Sequence, residues 1–297
     1  MKHRLTAMLH CSMMLPLAAA LTLDSASAAT PNDIVSNAPS TAWQAIDPQD
    51  LVVLMLDSGK QVVIQLAPRF APIHAANIRA LVKAGWFDGA AVTRVQDNYV
   101  VQWARTARKP LPPGVTALPP AEYERAAGDL AFRPLGFRDA YAAETGHVDG
   151  WPVGREGGKA WLVHCYGMVG VGRDNSPDTG DGTELYAVIG HAPRHLDRNI
   201  ALVGRVVGGI ENWSARPRGT GALGFYEDPS QYLAIRAARM ASDLPPDERP
   251  AFQVMDQKSP EFAKWVDARA NRKDDFFVRP AGAVDICNAQ APVRQVK

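Results

Sequence analysis

Two apolar runs, LVVLML over 51–56 and QVVIQL over 61–66, are rich in β-branched residues and are joined by Asp57-Ser58-Gly59-Lys60. Such runs on either side of a glycine-bearing turn predict a β-hairpin. The period then changes. Over 71–85 (APIHAANIRALVKAG), Ile78, Leu81 and Val82 share a helical face, Pro72 suits a first turn, and Gly85 suits the position just past the end. Alternation returns at 87–102, FDGAAVTRVQDNYVVQ, and 98–103 (NYVVQW) is its clearest strand. Arg94 interrupts that stretch. An arginine there is either a satisfied structural ion or a group aimed at a ligand. Strand rhythm recurs in WLVHCYGMVGVG (161–172), LYAVIG (185–190) and IALVGRVV (200–207).

Between these strands, residues 105 to about 160 are rich in Pro, Gly and charge, and read as a long insertion holding at most a short helix. Beyond residue 215 a Gly/Pro-rich stretch leads into helix-like segments. The firmest is SPEFAKWVDAR (259–269), where Ser259 caps, Pro260 fits the first turn, and Phe262, Trp265 and Val266 form an apolar face. Trp265 and the pair Phe276-Phe277 are expected to pack on the rest of the fold. Hairpin-linked strands with one helix after the second strand and another before the tail predict an antiparallel barrel or sandwich.

The first residues are a different matter. Lys2, His3 and Arg4 precede an apolar run, and Ala26-Ser27-Ala28 supplies the small residues of a cleavage site. This predicts a secretory signal peptide over 1–28, too short and interrupted for a retained anchor, followed by a polar linker over 29–49. Cleavage removes Lys2, Arg4 and Asp24, taking the formal charge from +1 to zero. A near-neutral chain offers no basic stripe for nucleic acid. No later run reads as a membrane span, and an exported, periplasmic monomer is expected. Export leaves Cys165 and Cys287 once Cys11 is gone, so they are either two buried thiols or a disulfide tying tail to core.

Several short patterns point to chemistry and fall short of it. His191, His195 and Asp197 in HAPRHLD have a spacing suggestive of a metal site, but they follow a strand and Pro193 interrupts them. No metal site is expected. DNSPDTGDGTE (174–184) is acidic and glycine-bearing, yet lacks the glycine and spacing of a calcium loop. There is no G-x-S-x-G nucleophile elbow.

The order of segments resembles the cyclophilin-type peptidyl-prolyl cis/trans isomerases. The likeness starts at the hairpin ending in Leu66-Ala67-Pro68, continues through Ala71-Pro72, a helix with Asn77, and Asp88-Gly89, and reaches Val92-Thr93-Arg94-Val95 and Tyr99-Val100-Val101-Gln102. These last two blocks stand where the family has Phe-His-Arg-Val and Phe-Met-x-Gln. Asp181-Gly182-Thr183-Glu184-Leu185-Tyr186 looks like its Asn-Gly-Ser-Gln-Phe-Phe, His195-Leu196-Asp197 like its Trp-Leu-Asp, and 202–207 like its closing strand. The resemblance covers about 50–215, broken by the insertion. It implies a mainly β fold: a closed antiparallel barrel capped by two helices, with a peptide groove on its outer surface. The remainder, 216–297, is then a helical C-terminal extension packed on the barrel.

The resemblance also implies roles. Arg94 matches the catalytic arginine and Gln102 the polar residue that positions it. Tyr99, Val100, Tyr186 and Leu196 match the proline pocket, while Gly172 and Arg173 fall where backbone contacts the residue before proline. The substrate class implied is proline-containing polypeptides, with no cofactor, because isomerisation transfers neither group nor electron. There are departures. Glu184 replaces a glutamine and could orient Arg94 or pair with it and blunt it. Tyr186 replaces a phenylalanine, His195 an aromatic and Ile200 a histidine, and Trp103 is expected to thicken the groove wall. Two functions follow: an isomerase assisting the folding of exported proteins, or a weakly active or inactive module or chaperone that binds proline peptides. A metallohydrolase using His191, His195 and Asp197 is the weakest alternative.

Overall fold

The computed structural model describes residues 29–107 and 109–296; the leader read from 1–28, with Cys11, lies outside the described residues. In chain order the elements begin with α1 (Pro31–Asn37), β1 (Trp43–Ala45), β2 (Leu51–Leu56), β3 (Gln61–Leu66), α2 (Pro72–Lys83), β4 (Ala90–Val95) and β5 (Val100–Ala104). The insertion contributes β6 (Arg125–Ala126), β7 (Arg133–Pro134), β8 (Glu144–Val148), β9 (Trp151–Glu156) and β10 (Lys159–Leu162). There follow β11 (Met168–Val171), β12 (Glu184–Val188), β13 (Leu202–Gly208), α3 (Glu211–Ser214) and β14 (Leu233–Met240). The tail adds β15 (Ala251–Met255), α4 (Pro260–Asn271) and β16 (Val293–Val296).

Eight strands close into a barrel in the order β11-β12-β5-β4-β14-β2-β3-β13, every neighbour antiparallel. Closure removes the unpaired edges that would invite aggregation. Its interior is filled by alternate residues such as Val52, Leu54, Val62, Ile64, Val101, Leu185 and Val203. Ile78, Leu81 and Val82 of α2 and Trp213 of α3 join that interior, so both helices cap it. Ile73 and His74 at the start of α2 donate backbone N–H bonds of 2.9 Å to the Glu122 carboxylate, which satisfies the first-turn donors and faces the positive end of the helix.

A second core lies outside the barrel. Leu51, Val53, Val63 and Leu202 point outward and pack with Val148, Trp151, Val153 and Leu162 of the insertion and with Trp43, Phe252, Val254, Phe262 and Trp265 of the terminal segments. Both faces of β2 and β3 are therefore buried. That is why their sequences are continuous apolar runs instead of alternating ones.

This outer layer departs from the sequence reading in three places. The stretch 29–49 is not an open linker: Thr30 and Asp33 form a capping box for α1, and β1 pairs with β15. The insertion carries a five-stranded sheet, β6-β10-β9-β8-β7, where at most a short helix was expected. The tail is not simply helical, since β14 belongs to the barrel between β4 and β2, and β1-β15-β16 form a third sheet. Within the tail, α4 has the anticipated form: Ser259 accepts the Phe262 N–H at 3.1 Å, and Phe262 and Trp265 are buried. Phe276 and Phe277, expected to be core, are exposed. Cys165 and Cys287 are bridged, with Cα atoms 4.9 Å apart, fastening the tail to the segment before β11.

Candidate functional site

The barrel's outer surface over β4, β5, β12 and β11 carries a cleft of about 130 Å³ lined by Arg94, Tyr99, Val100, Gln102, Val171, Gly172, Arg173, Glu184, Tyr186, Leu196 and Ile200. Period two explains most of this lining. On β5, Val101 and Trp103 face the interior, so Val100 and Gln102 face out; on β12, Leu185 and Ala187 face in, so Glu184 and Tyr186 face out. Arg94 needs a further device. Strict alternation from Val92, which is in the core, would turn Arg94 inward. The register of β4 on β5 shifts between Val92 and Arg94, leaving Thr93 as an extra residue and setting Arg94 opposite Gln102. This bulge lets Val92 and Val95 both reach the core while Arg94 is re-aimed at the cleft.

The partners of Arg94 are all neutral. Its Nε donates to the Leu223 carbonyl at 2.7 Å and its Nη1 to Gln102 Oε1 at 2.8 Å, while Nη2 donates to Gln96 Oε1. Among the described residues no carboxylate forms an ion pair with it. Three of a guanidinium's five N–H donors are thus engaged and two remain for a ligand. The rings of Phe225 and Tyr99 flank Cζ at 5.4 and 5.8 Å. Burial lowers the guanidinium's pKa from its ordinary value, against the opposing pull of Tyr99 and Glu184, yet a guanidinium stays charged at neutral pH.

Glu184 does not touch Arg94. Its Oε1 accepts from Gln102 Nε2, so the Gln102 amide stands between cation and carboxylate, its oxygen toward Arg94 and its nitrogen toward Glu184. Burial raises the Glu184 pKa above its ordinary 4.5, with Asp174 adding to the rise and Arg94 opposing it.

The apolar part of the cleft is made by Tyr99, Val100, Tyr186, Leu196 and Ile200. Tyr186 is buried, and its hydroxyl lies 3.0 Å from His164 Nε2. His195 sits at the rim, exposed, its ring parallel to that of Tyr99 at 6.4 Å. The Arg173 side chain donates to the Asn199 carbonyl, at 3.1 Å from Nε and 3.0 Å from Nη2. Trp103 corrects an expectation: it does not thicken the groove, because it points into the barrel, fully buried, against Trp213 at 4.5 Å. The trio His191, His195 and Asp197 does not converge, since Asp197 turns inward to His164 and Arg194.

Four contributors were missed by the sequence reading. Gln96, two positions after Arg94, was accessible to a period-two argument. Val171 was accessible as the residue before Gly172. Leu223 and Phe225 come from the Gly-rich stretch far along the chain, which gave no local signal. That stretch is laid on β4 by Gly219 N–H to the Val95 carbonyl at 2.9 Å and Tyr226 N–H to the Thr93 carbonyl at 3.0 Å.

An outward-facing cleft on a closed eight-stranded barrel, where an arginine paired with no carboxylate among the described residues stands beside an apolar slot, is the candidate ligand site of this β-barrel. The family profile described as "Cyclophilin type peptidyl-prolyl cis-trans isomerase/CLD" matches residues 51–219. The chain belongs to that family. A probable peptidyl-prolyl cis-trans isomerase of Brucella suis biovar 1 (strain 1330) is 28% identical over 169 residues, which cover 56% of this chain and 71% of that protein. Its counterpart in Brucella abortus (strain 2308) is 27% identical with the same coverage. In fold, the chain is similar to the crystal structure of cyclophilin AquaCyp293 from Hirschia baltica, with a TM-score of 0.68 at 24% identity, covering 90% of this chain and 97% of that one. The profile ends at residue 219, before β14, the strand that completes the barrel.

Proposed function

We propose that this chain accelerates cis/trans isomerisation of Xaa-Pro bonds in exported polypeptides, with Arg94 as the electrostatic catalyst. The barrier of about 18–20 kcal/mol arises because the amide nitrogen delocalises its lone pair into the carbonyl. Twisting the bond returns that pair to the nitrogen. A cation with free donors near the prolyl nitrogen stabilises the twisted form more than the planar one, which is what lowers a barrier. The observation that carries the reading is the neutrality of every Arg94 partner: the positive charge is held in place without being cancelled. Gln102 holds the fork through its carbonyl, and Tyr99, Val100, Tyr186, Leu196 and Ile200 offer the slot for the proline ring.

The test is line-shape exchange on a short Ala-Pro peptide with residues 29–297. Acceleration is expected, and Arg94→Ala is expected to lose most of it while still binding peptide. An unchanged kcat/KM in that variant removes Arg94 from the mechanism. One observation favours a second reading, a proline-peptide receptor with little turnover: Glu184 lies one amide away from the cation and damps it. Peptide binding without exchange would select that reading.

Export and a periplasmic location belong to the same proposal. They are supported by the leader pattern in 1–28 and by the Cys165–Cys287 bridge, which persists in an oxidising compartment. An intact mass of the cell-associated protein that still includes residues 1–28 would contradict them.

A further inference from the structure

One wall of the cleft is tied to the insertion by a continuous chain of buried polar groups. Tyr186 Oη is 3.0 Å from His164 Nε2, and His164 Nδ1 is 2.9 Å from Asp197 Oδ1, which also accepts the His164 backbone N–H at 2.9 Å. The other oxygen, Asp197 Oδ2, accepts from Arg194 Nε at 2.6 Å. Arg194 then donates Nη1 and Nη2 to Asp139 at 2.8 and 2.9 Å, a bidentate pair, and the Tyr141 ring covers its guanidinium at 4.9 Å. His164 is 0% exposed, and Tyr186, Arg194 and Asp197 are all below a tenth. Asp139 comes from the loop between β7 and β8, so the chain spans from the insertion to the cleft.

We propose that Asp139, Arg194, Asp197 and His164 are positioning residues for the proline pocket, through which the insertion sets the spacing of two of its walls. This rests on the reading of the cleft as the prolyl site. One wall is the Tyr186 ring, held by its hydroxyl. The other is Leu196, which stands in the short turn Arg194–Leu196, between the two charged members of the chain. The hydrogen-bond direction is fixed by chemistry. A carboxylate only accepts, so the proton is on His164 Nδ1; Nε2 therefore accepts, and the Tyr186 hydroxyl donates. The hydroxyl has a place to go because residue 170 is glycine: a Cβ there would lie 2.3 Å from the Tyr186 oxygen. Gly170, His164 and the tyrosine hydroxyl thus form one fitted unit, absent if position 186 were phenylalanine.

None of these groups touches Arg94, so the device acts on how the proline ring is seated and leaves the cation alone. The experiment is a double-mutant cycle of Asp139→Asn and Tyr186→Phe in the full chain, reading KM and kcat by exchange on an Ala-Pro peptide, with urea denaturation alongside. Asp139→Asn is expected to raise KM about three- to tenfold, with kcat within about twofold. In the Tyr186→Phe background the same substitution is expected to raise KM by clearly less, because the link to the Tyr186 wall is already cut and only the Leu196 wall still responds. Equal KM effects in both backgrounds would overturn the proposal, and so would a change in kcat alone.

Two further readouts keep it exposed. Imidazole ¹⁵N shifts of the unmutated protein should show His164 with Nδ1 protonated and Nε2 bare; a proton on Nε2 contradicts the chain without requiring any variant to fold. Peptide Kd values measured on the same four proteins, and on each with Arg94→Ala, give the cycle independently of turnover. Loss of turnover with an intact Kd cycle would sink the catalytic reading and sustain this one, whereas turnover without coupling would do the reverse.

Discussion

One arginine lines the cleft and another is buried behind its wall, and they are satisfied in opposite ways. Arg194, on the buried side, has two carboxylates: Asp139 grips it bidentately and Asp197 takes its Nε. Arg94, on the open side, has a backbone carbonyl and two glutamine oxygens. Both side chains are held in one orientation, so geometry does not separate them. The charge of the partners does. A guanidinium between carboxylates is neutralised scaffolding, and one held by amides keeps its field and two donors for a ligand. Partner charge and place must be read together: Arg205 is more buried than either and also donates to neutral oxygens, Gln65 Oε1 and the Gly150 carbonyl, but it lies away from the cleft, whereas Arg94 has neutral partners and lines it.

The sharpest way to break this comparison is to delete each arginine. Arg194→Ala leaves two carboxylates buried without a cation, and about 3–5 kcal/mol of stability should be lost. Urea denaturation followed by tryptophan fluorescence measures it; a loss below about 1 kcal/mol would mean that the buried network is not structural. Arg94→Ala should do the converse. It removes the preorganised cationic fork at the transition state, worth about 10²–10³ in kcat, while stability falls by only about 1–2 kcal/mol, the cost of leaving the buried Gln102 oxygen without its donor. Arg94→Lys separates charge from fork: if the fixed donors matter, lysine recovers little of the rate.

The contrast also explains what could be read from the sequence. The hairpin, α2 and the outward residues of β5 and β12 follow from β-branched runs and from parity. Parity should have been carried one residue further: with Gln102 facing out, Trp103 had to face in, yet it was read as groove wall. The bulge at Thr93 carries no such mark, because an extra residue in one strand shows only when its partner's register is known. The insertion sheet was hidden by glycines that are there for close approach. A Cβ at Gly154 would come within 2.7 Å of the Trp161 ring, and one at Gly146 within 2.1 Å of the Arg133 carbonyl. With Pro152 between them, these strands look like loop. β14 reads LAIRAARM, where Arg236 and Arg239 and a register shift between Ile235 and Ala237 break the alternation. His164, at the hinge of the buried wall, was a lone histidine in an apolar run. Its partners lie 22 and 33 residues away, beyond any local pattern.

Glu184 is where the open wall departs furthest from neutrality, and its effect should be smaller. Its folded pKa is raised, so its ionisation opposes folding: stability is greatest below its ordinary 4.5 and declines as pH rises through the raised value. Catalysis should follow the same window with a simple sign. As pH falls through that value the carboxylate loses its charge, the Arg94 field is less damped, and kcat/KM should rise by about two- to fivefold. Glu184→Gln should show the higher rate at neutral pH and no change across the window. A pH–rate profile on the two proteins decides it; a slower Glu184→Gln would mean that the carboxylate orients Gln102 and does not damp the cation.

The smallest effect is expected at Leu223, whose carbonyl holds Arg94 Nε. Its φ of +56° lies in the left-handed region, and its side chain is 67% exposed. A leucine gains nothing from that conformation, and glycine adopts it without a Cβ clash. Leu223→Gly should therefore stabilise the fold by up to about 1 kcal/mol, the relieved strain being partly offset by the greater freedom of the unfolded chain. Because the Arg94 contact is to the backbone, kcat on an Ala-Pro dipeptide unit should not change. If kcat falls while stability rises, the Leu223 side chain takes part in the open wall, and the strain is maintained for the ligand's sake. If neither changes, the carbonyl alone is what this position contributes, and the open wall ends at the guanidinium.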